Sequence, residues 1–190
     1  AIPGRGIQAL LDGRRLMLGN HRFIEEANAC SPATEAALER LESEGKTTVI
    51  LAHDGAAVAG IAVADPVRET SREAIASLHG LDVRTVMLSG DNPRTAGVVG
   101  ALVGIDDVRG GLLPEQKLEA MAELVRAYGT VGMVGDGIND APALARAGIG
   151  FAMGAAGSDT AIETADVALM DDDLRKIPEL ILLSRRTHAI

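Results

Sequence analysis

Two carboxylates and an amide, Asp136, Asn139 and Asp140, gather at one turn of the run Met133-Val-Gly-Asp-Gly-Ile-Asn-Asp-Ala-Pro-Ala-Leu144. Hard oxygen donors grouped this way suit Mg2+ held jointly with a phosphate. Asp and Asn also turn chains and cap helices, but a cap needs one such side chain rather than three. A second cluster repeats the design, because Met87-Leu88 runs into Ser89, Gly90, Asp91 and Asn92. Backbone N–H groups at a helix start hold phosphate there, and the Ser89 hydroxyl donates to a further oxygen. N-capping ahead of Pro93 is the plain alternative. Lys117 lies one turn into a helix opened by Pro114, which directs its ammonium back toward the strand ends. A lone helical lysine is commonly just solvated. In chain order, however, hydroxyl, lysine and Asp-rich turn supply the parts of a phosphoryl-transfer site: an anion donor, a point charge and a Mg2+ cage. No nucleophile accompanies them.

The elements that must position these groups follow from the apolar pattern. Val131 to Val134 are apolar or small, as in a strand buried on both faces; Gly135 and Gly137 then release the backbone, and a helix opens near Asp140. This places the donors at the carboxyl end of a strand, where open α/β sheets bind ligands. From Asp65 onward the spacing predicts helices over 71–78, 93–103, 114–128, 141–147 and 174–189. Between them come strands over 84–88, 108–110, 130–134, 149–153 and 167–170. Such alternation implies a parallel sheet with helices on both sides. Before Asp65 the rhythm differs. A hairpin turns at Asp12-Gly13 and ends at Gly19-Asn20, a helix over 32–41 starts from Ser31 and Pro32, and a second hairpin turns at Asp54-Gly55. The expected fold is therefore α/β, with an antiparallel α+β domain over 1–64 and a parallel-sheet domain over 65–190. Asp65-Pro66 is the expected hinge.

Composition excludes several classes. The 190 residues carry a net charge of -9 and few aromatics, one Tyr, two Phe and no Trp. Nucleic acid is thus not an expected partner, because phosphate backbones need clustered Lys and Arg and bases need stacking platforms. The single cysteine, Cys30, rules out an internal disulfide and reads as a small buried or idle thiol. No apolar run approaches the roughly 18–20 residues of a membrane span. The sequence therefore reads as a soluble piece of a larger protein. Asp171, Asp172 and Asp173 read as the N-cap of the last helix rather than as a metal site.

Two apparent motifs fail on context. Gly45-Lys46-Thr47 lacks the earlier glycine of a P-loop, since Arg40 stands at that position. Gly4-Arg5-Gly6-Ile7-Gln8-Ala9 matches a dinucleotide fingerprint formally, but no strand precedes it and a hairpin follows. A Gly-x-Gly still permits close backbone approach to a ligand, or simply a flexible turn.

The motifs Ser89-Gly90-Asp91-Asn92, Pro114-Glu115-Gln116-Lys117 and Gly135-Asp136-Gly137-Ile138-Asn139-Asp140-Ala141-Pro142-Ala143-Leu144 resemble, in sequence and order, those of the haloacid-dehalogenase-like superfamily. They resemble the P-type ATPases more closely still. Gly4-x-Gly6 and Gly19-Asn20 ahead of Asp65-Pro66-Val67-Arg68 are similar to the heavy-metal-transporting branch. The run 153–173 is similar to zinc, cadmium and cobalt exporters more than to copper ones.

The resemblance implies the later part of a nucleotide-binding domain followed by most of a phosphorylation domain, on the cytoplasmic face of a membrane. Gly4, Gly6, Gly19 and Asn20 would contact ATP, and Asp65 would lie at the hinge. Ser89, where the family usually has Thr, would surround the phosphoryl group together with Gly90 and Asp91. Lys117 would stabilise its charge. Asp136 would hold Mg2+, supported by Asn139 and by Asp140 as the second metal-site carboxylate. Two family features are missing. No Asp-Lys-Thr segment occurs, and none of His21, His53, His79 or His188 precedes a proline. The resemblance puts the phosphorylated aspartate, the actuator and the transmembrane domains elsewhere in the intact pump, so these residues alone are not expected to turn over ATP. The alternatives are a free-standing Mg2+-dependent phosphatase of the superfamily and a non-catalytic nucleotide or metal sensor.

Overall fold

A computed structural model of the chain describes residues 1–2, 4–135, 140–154 and 163–188. Asp136, Gly137, Ile138 and Asn139 lie outside the described residues. The chain divides into two compact units. The first comprises Ala1–Pro66, Ser89–Ala101 and Val108–Gly111, and the second Val67–Leu88, Leu102–Asp107 and Leu112–Ile190.

In the first unit, β1 (Gly6–Leu11), β2 (Arg14–Gly19), β3 (Thr47–His53) and β4 (Ala56–Val63) form an antiparallel sheet in that order. Both predicted hairpin turns are present, with Asp12 and Gly13 at φ 52° and 78°, and Asp54 and Gly55 at 47° and 84°. Consecutive positive φ values match the strand twist. Thr48, Ile50 and Ala52 alternate inward along β3, and α1 (His21–Glu26) and α2 (Pro32–Ser43) cover that face. Met17, Phe23, Ile24, Leu38, Ile50 and Ala52 form the core. Ser31 caps α2 by accepting from Thr34 N–H, as the sequence suggests. Helix α1 is an element that the apolar spacing does not predict. Its signal is Asn20, whose side chain accepts from Phe23 N–H as an N-cap.

In the second unit, β7 (Gly132–Gly135), β8 (Ile149–Met153) and β9 (Val167–Leu169) form a parallel sheet. The three-residue strands β5 (Val86–Leu88) and β6 (Asp107–Arg109) stand outside this sheet. One face of the parallel sheet packs Met121 of α5 (Pro114–Tyr128) and Ala143 and Leu144 of α6 (Ala141–Leu144) against Met133 and Ala152. On the other face Phe151 and Leu169 meet Leu78 of α3 (Glu69–His79) and Ile177 of α7 (Lys176–His188). Helices thus flank both faces of the sheet, but β7 is not buried on both faces as its apolar run suggests: Met133 and Gly135 are buried while Gly132 and Val134 are exposed, because β7 is an edge of the three-stranded sheet. Helix α4 (Pro93–Val103) follows β5 with the bounds its spacing predicts.

Four helices differ from their expected bounds: α2 runs on to Ser43, α3 spans Glu69–His79, and α6 and α7 are shorter. α6 stops at Leu144 because Arg146 and Ala147 N–H donate to carbonyls three residues back, which tightens the last turn. α7 begins at Lys176 rather than 174, since the Asp173 carboxylate takes the Arg175 N–H and the Arg175 guanidinium. Asp173 therefore fastens a turn before the helix. No helix of the described residues is long and apolar enough to cross a membrane.

Candidate active site

At the carboxyl end of β7 the chain makes one tight ion pair. Lys117 Nζ donates to Asp140 Oδ1 at 3.0 Å, with side chains 18% and 15% exposed. Each partner is held from its own element. Pro114 opens α5, and Gln116 Oε1 accepts from Leu113 N–H, so Lys117 is fixed one turn in. Asp140 precedes α6, where its carbonyl accepts from Ala143 and Leu144 N–H. Its side chain makes no capping bond. The residue that a cap would explain has instead turned its carboxylate to a lysine from another helix.

Gly135 makes this placement of Asp140 possible. A Cβ there would lie 2.8 Å from Asp140 Cβ and 3.4 Å from Asp140 Oδ2, and the first distance is closer than carbon atoms pack. Side-chain carboxylate and glycine are thus matched: the last residue of β7 must be bare for Asp140 to fold back over it.

In the first unit, Ser89, Gly90 and Asp91 form a second arrangement. Asp91 Oδ1 accepts from Thr47 Oγ1 at 3.0 Å, and Oδ2 from Ser89 Oγ at 2.9 Å. Asp91 N–H donates to Ser89 Oγ at 3.1 Å, and the Asp91 carbonyl accepts from Gly111 N–H at 2.5 Å. The Ser89 hydroxyl, expected to face an anion, here donates its hydrogen bond to the Asp91 carboxylate. Thr47 is a partner that sequence reading missed. Its only signal was the failed Gly-Lys-Thr motif.

Gly4, Gly6, Gly19 and Asn20 are also brought together. Asn20 Nδ2 donates to the Gly4 carbonyl at 3.1 Å and Asn20 N–H to the Arg5 carbonyl at 2.9 Å. Gly6 faces Gly19 across the β1–β2 ladder. A Cβ on Gly19 would fall 2.5 Å from the Arg5 carbonyl and 2.6 Å from Phe23 Cδ1. Packing alone thus demands a bare backbone at Gly19, which is buried against the Phe23 ring. Asp65 and Pro66 are exposed and outside regular structure.

The donors present suit a hard divalent ion. Lys117 bonds Oδ1 of Asp140, and among the described residues no hydrogen bond reaches Oδ2, the oxygen that would serve for coordination at the end of a strand.

A family model for haloacid dehalogenase-like hydrolases matches residues 2–148. The chain is 48% identical over 193 aligned positions to a probable cadmium-transporting ATPase of Staphylococcus aureus, covering 100% of this chain and 24% of that protein. It is 42% identical over 186 positions to a copper-exporting P-type ATPase of Staphylococcus haemolyticus, covering 98% of this chain and 23% of that protein. A crystal structure of a zinc-transporting PIB-type ATPase superposes with a TM-score of 0.68 at 39% identity, covering 100% of this chain and 30% of that one. The chain spans about a quarter of the length of the curated relatives it matches. With residues 2–148 under the family model and a parallel sheet whose β7 ends at a Lys–Asp pair, the chain belongs to the haloacid dehalogenase-like hydrolases.

Proposed function

We propose that this chain is the cytosolic ATP-binding and phosphorylation portion of a heavy-metal-exporting P-type ATPase of the zinc, cadmium and cobalt kind. The observation that carries it is the Lys117–Asp140 pair at the end of β7, in a chain that aligns over its whole length with cadmium-transporting ATPases. The higher identity to a cadmium-transporting relative, 48% against 42% for a copper-exporting one, favours the zinc-like cargo class.

Asp136 and Asp140 hold Mg2+ on this proposal, with Asn139 in support. Bound Mg2+ supplies charge compensation across the phosphate oxygens of ATP. Lys117, steered by Asp140, offsets negative charge on the transferring phosphoryl group. Ser89 and the Gly90 and Asp91 amides orient that group. Gly4, Gly6, Gly19 and Asn20 receive the nucleotide on bare backbone. The phosphoryl acceptor is an aspartate of the intact pump, which also contributes actuator and transmembrane domains and faces the cytoplasm with this portion. Asp65-Pro66 is the proposed hinge between residues 1–64 and 65–190. The test is Asp136→Ala in the intact pump with γ-labelled Mg-ATP. Loss of the acid-stable phosphoenzyme is expected, and normal phosphorylation overturns the proposal.

A further inference from the structure

A second cluster of ligand-type side chains lies wholly in the first unit. His21 Nε2 is 2.7 Å from Glu35 Oε2, and His21 Nδ1 is 3.1 Å from Glu42 Oε1. Ligand atoms of His21, Cys30 and Glu35 all fall within 4.8 Å of one another. Glu42 is fully buried, its Oε1 also accepts from Thr48 Oγ1 at 3.2 Å, and among the described residues its Oε2 has no hydrogen-bond partner. Arg94 Nη1 stands 3.7 Å from that oxygen.

The imidazole is thus set between two carboxylates. A neutral ring carries one N–H and satisfies one of them, leaving a lone pair against carboxylate oxygen on the other side. A cation must bridge that contact, either a proton or a metal ion. The buried carboxylate behind Nδ1 matches the arrangement in which a carboxylate orients a metal-binding histidine with Nε2 outward. Cys30, directly before the Ser31 cap of α2, adds a sulfur donor on the same side.

We propose that His21, Cys30 and Glu35 form a binding site for a borderline-soft divalent cation of the Zn2+ or Cd2+ class, with Glu42 as the positioning residue behind His21. One sulfur, one imidazole and one carboxylate select such ions over Mg2+ or Ca2+. Bonds of about 2.0–2.3 Å in a tetrahedral site need donors about 3.3–3.7 Å apart. The present spacings reach that by opening the 2.7 Å His21–Glu35 contact and closing on Cys30. The fourth position is left for water. Loading exchanges the Cys30 thiol proton and the proton between Nε2 and Oε2 for the metal, and both protons leave to solvent. Glu35 is 34% exposed, which gives the ion a route in. Because His21 follows Asn20, the ion would also pin the turn bearing Gly19 and Asn20. The assignment stands on the first unit alone and is independent of the ATPase proposal.

The test is Co2+ titration of the 190-residue chain, followed by visible and near-ultraviolet absorption. A 1:1 complex with tetrahedral d–d bands and a thiolate-to-cobalt charge-transfer band is expected, displaced by Zn2+ or Cd2+. Cys30→Ser should abolish the charge-transfer band and weaken binding by about tenfold or more, and Glu42→Gln should weaken it about 10–100-fold. Wild-type chain supplies a second readout that needs no variant: one equivalent of Cd2+ should protect Cys30 from alkylation. Absence of thiolate bands, unchanged bands in Cys30→Ser, or undiminished alkylation under Cd2+ would each overturn the site.

Discussion

Lys117→Met removes the ammonium from the Lys117–Asp140 pair while keeping an unbranched side chain of similar length. At 3.0 Å, and with an effective dielectric of about 20, the raw attraction is roughly 5 kcal/mol. Desolvating two groups that are 18% and 15% exposed offsets part of it, leaving a net coupling of about 2 kcal/mol. The single variant is expected to lose more, about 2–3 kcal/mol, because Asp140 remains charged and largely enclosed. Asp140→Asn should lose about 1–2 kcal/mol, since its amide oxygen still accepts from Lys117. The double variant should then be no worse than Lys117→Met alone. Urea unfolding followed by far-ultraviolet circular dichroism reads the difference as a midpoint shift of about 1 M or more for the single variant. Additive losses, with coupling below about 0.5 kcal/mol, would mean that the two side chains do not meet in the folded chain.

The remaining predictions use other contacts. Gly135→Ala sets a methyl 2.8 Å from Asp140 Cβ, so it should cost about 1–3 kcal/mol and erase the coupling in the Lys117/Asp140 cycle. Gly19→Ala, with its Cβ 2.5 Å from the Arg5 carbonyl, should destabilise the first unit by about 1–3 kcal/mol, read by amide exchange along β1 and β2. Hydrogen bonds from Arg175 hold the Asp173 carboxyl down at about 2. Its stabilising contribution is present above the unfolded value of ~3.9 and fades as pH falls through about 2. Arg175→Met should return the Asp173 titration, followed by carboxyl NMR, to the ordinary range. In the metal-free chain burial, with Glu35 beside it, pushes the Cys30 thiol up to about 11. Alkylation at pH 8 should then run about a hundredfold slower than for a free thiol and accelerate toward pH 11; ordinary rates at pH 8 would refute that environment.

The sequence by itself determined the local elements and the chemistry at their ends. Asp12-Gly13 and Asp54-Gly55 fixed both hairpins because few other pairs tolerate consecutive positive φ. Ser31 with Pro32, and Pro114, fixed helix starts, and the change from hairpins to alternation near Asp65 separated antiparallel from parallel pairing. Asp140 and Lys117 were legible as candidates because their residue types follow a strand and a helix opening. Their meeting was not legible, since nothing local distinguishes a capping aspartate from one bent back over Gly135. The short helix α1 was hidden for a similar reason: six residues carry too little periodicity to register. Only the tertiary structure could place Thr47 on Asp91, 44 residues away, or set His21 between Glu35 and Glu42 with Cys30 beside them. Those contacts join groups apart in the chain, and the one around His21 exists because the core of Phe23, Ile24, Leu38 and Ile50 fixes where α1 and α2 lie on the sheet.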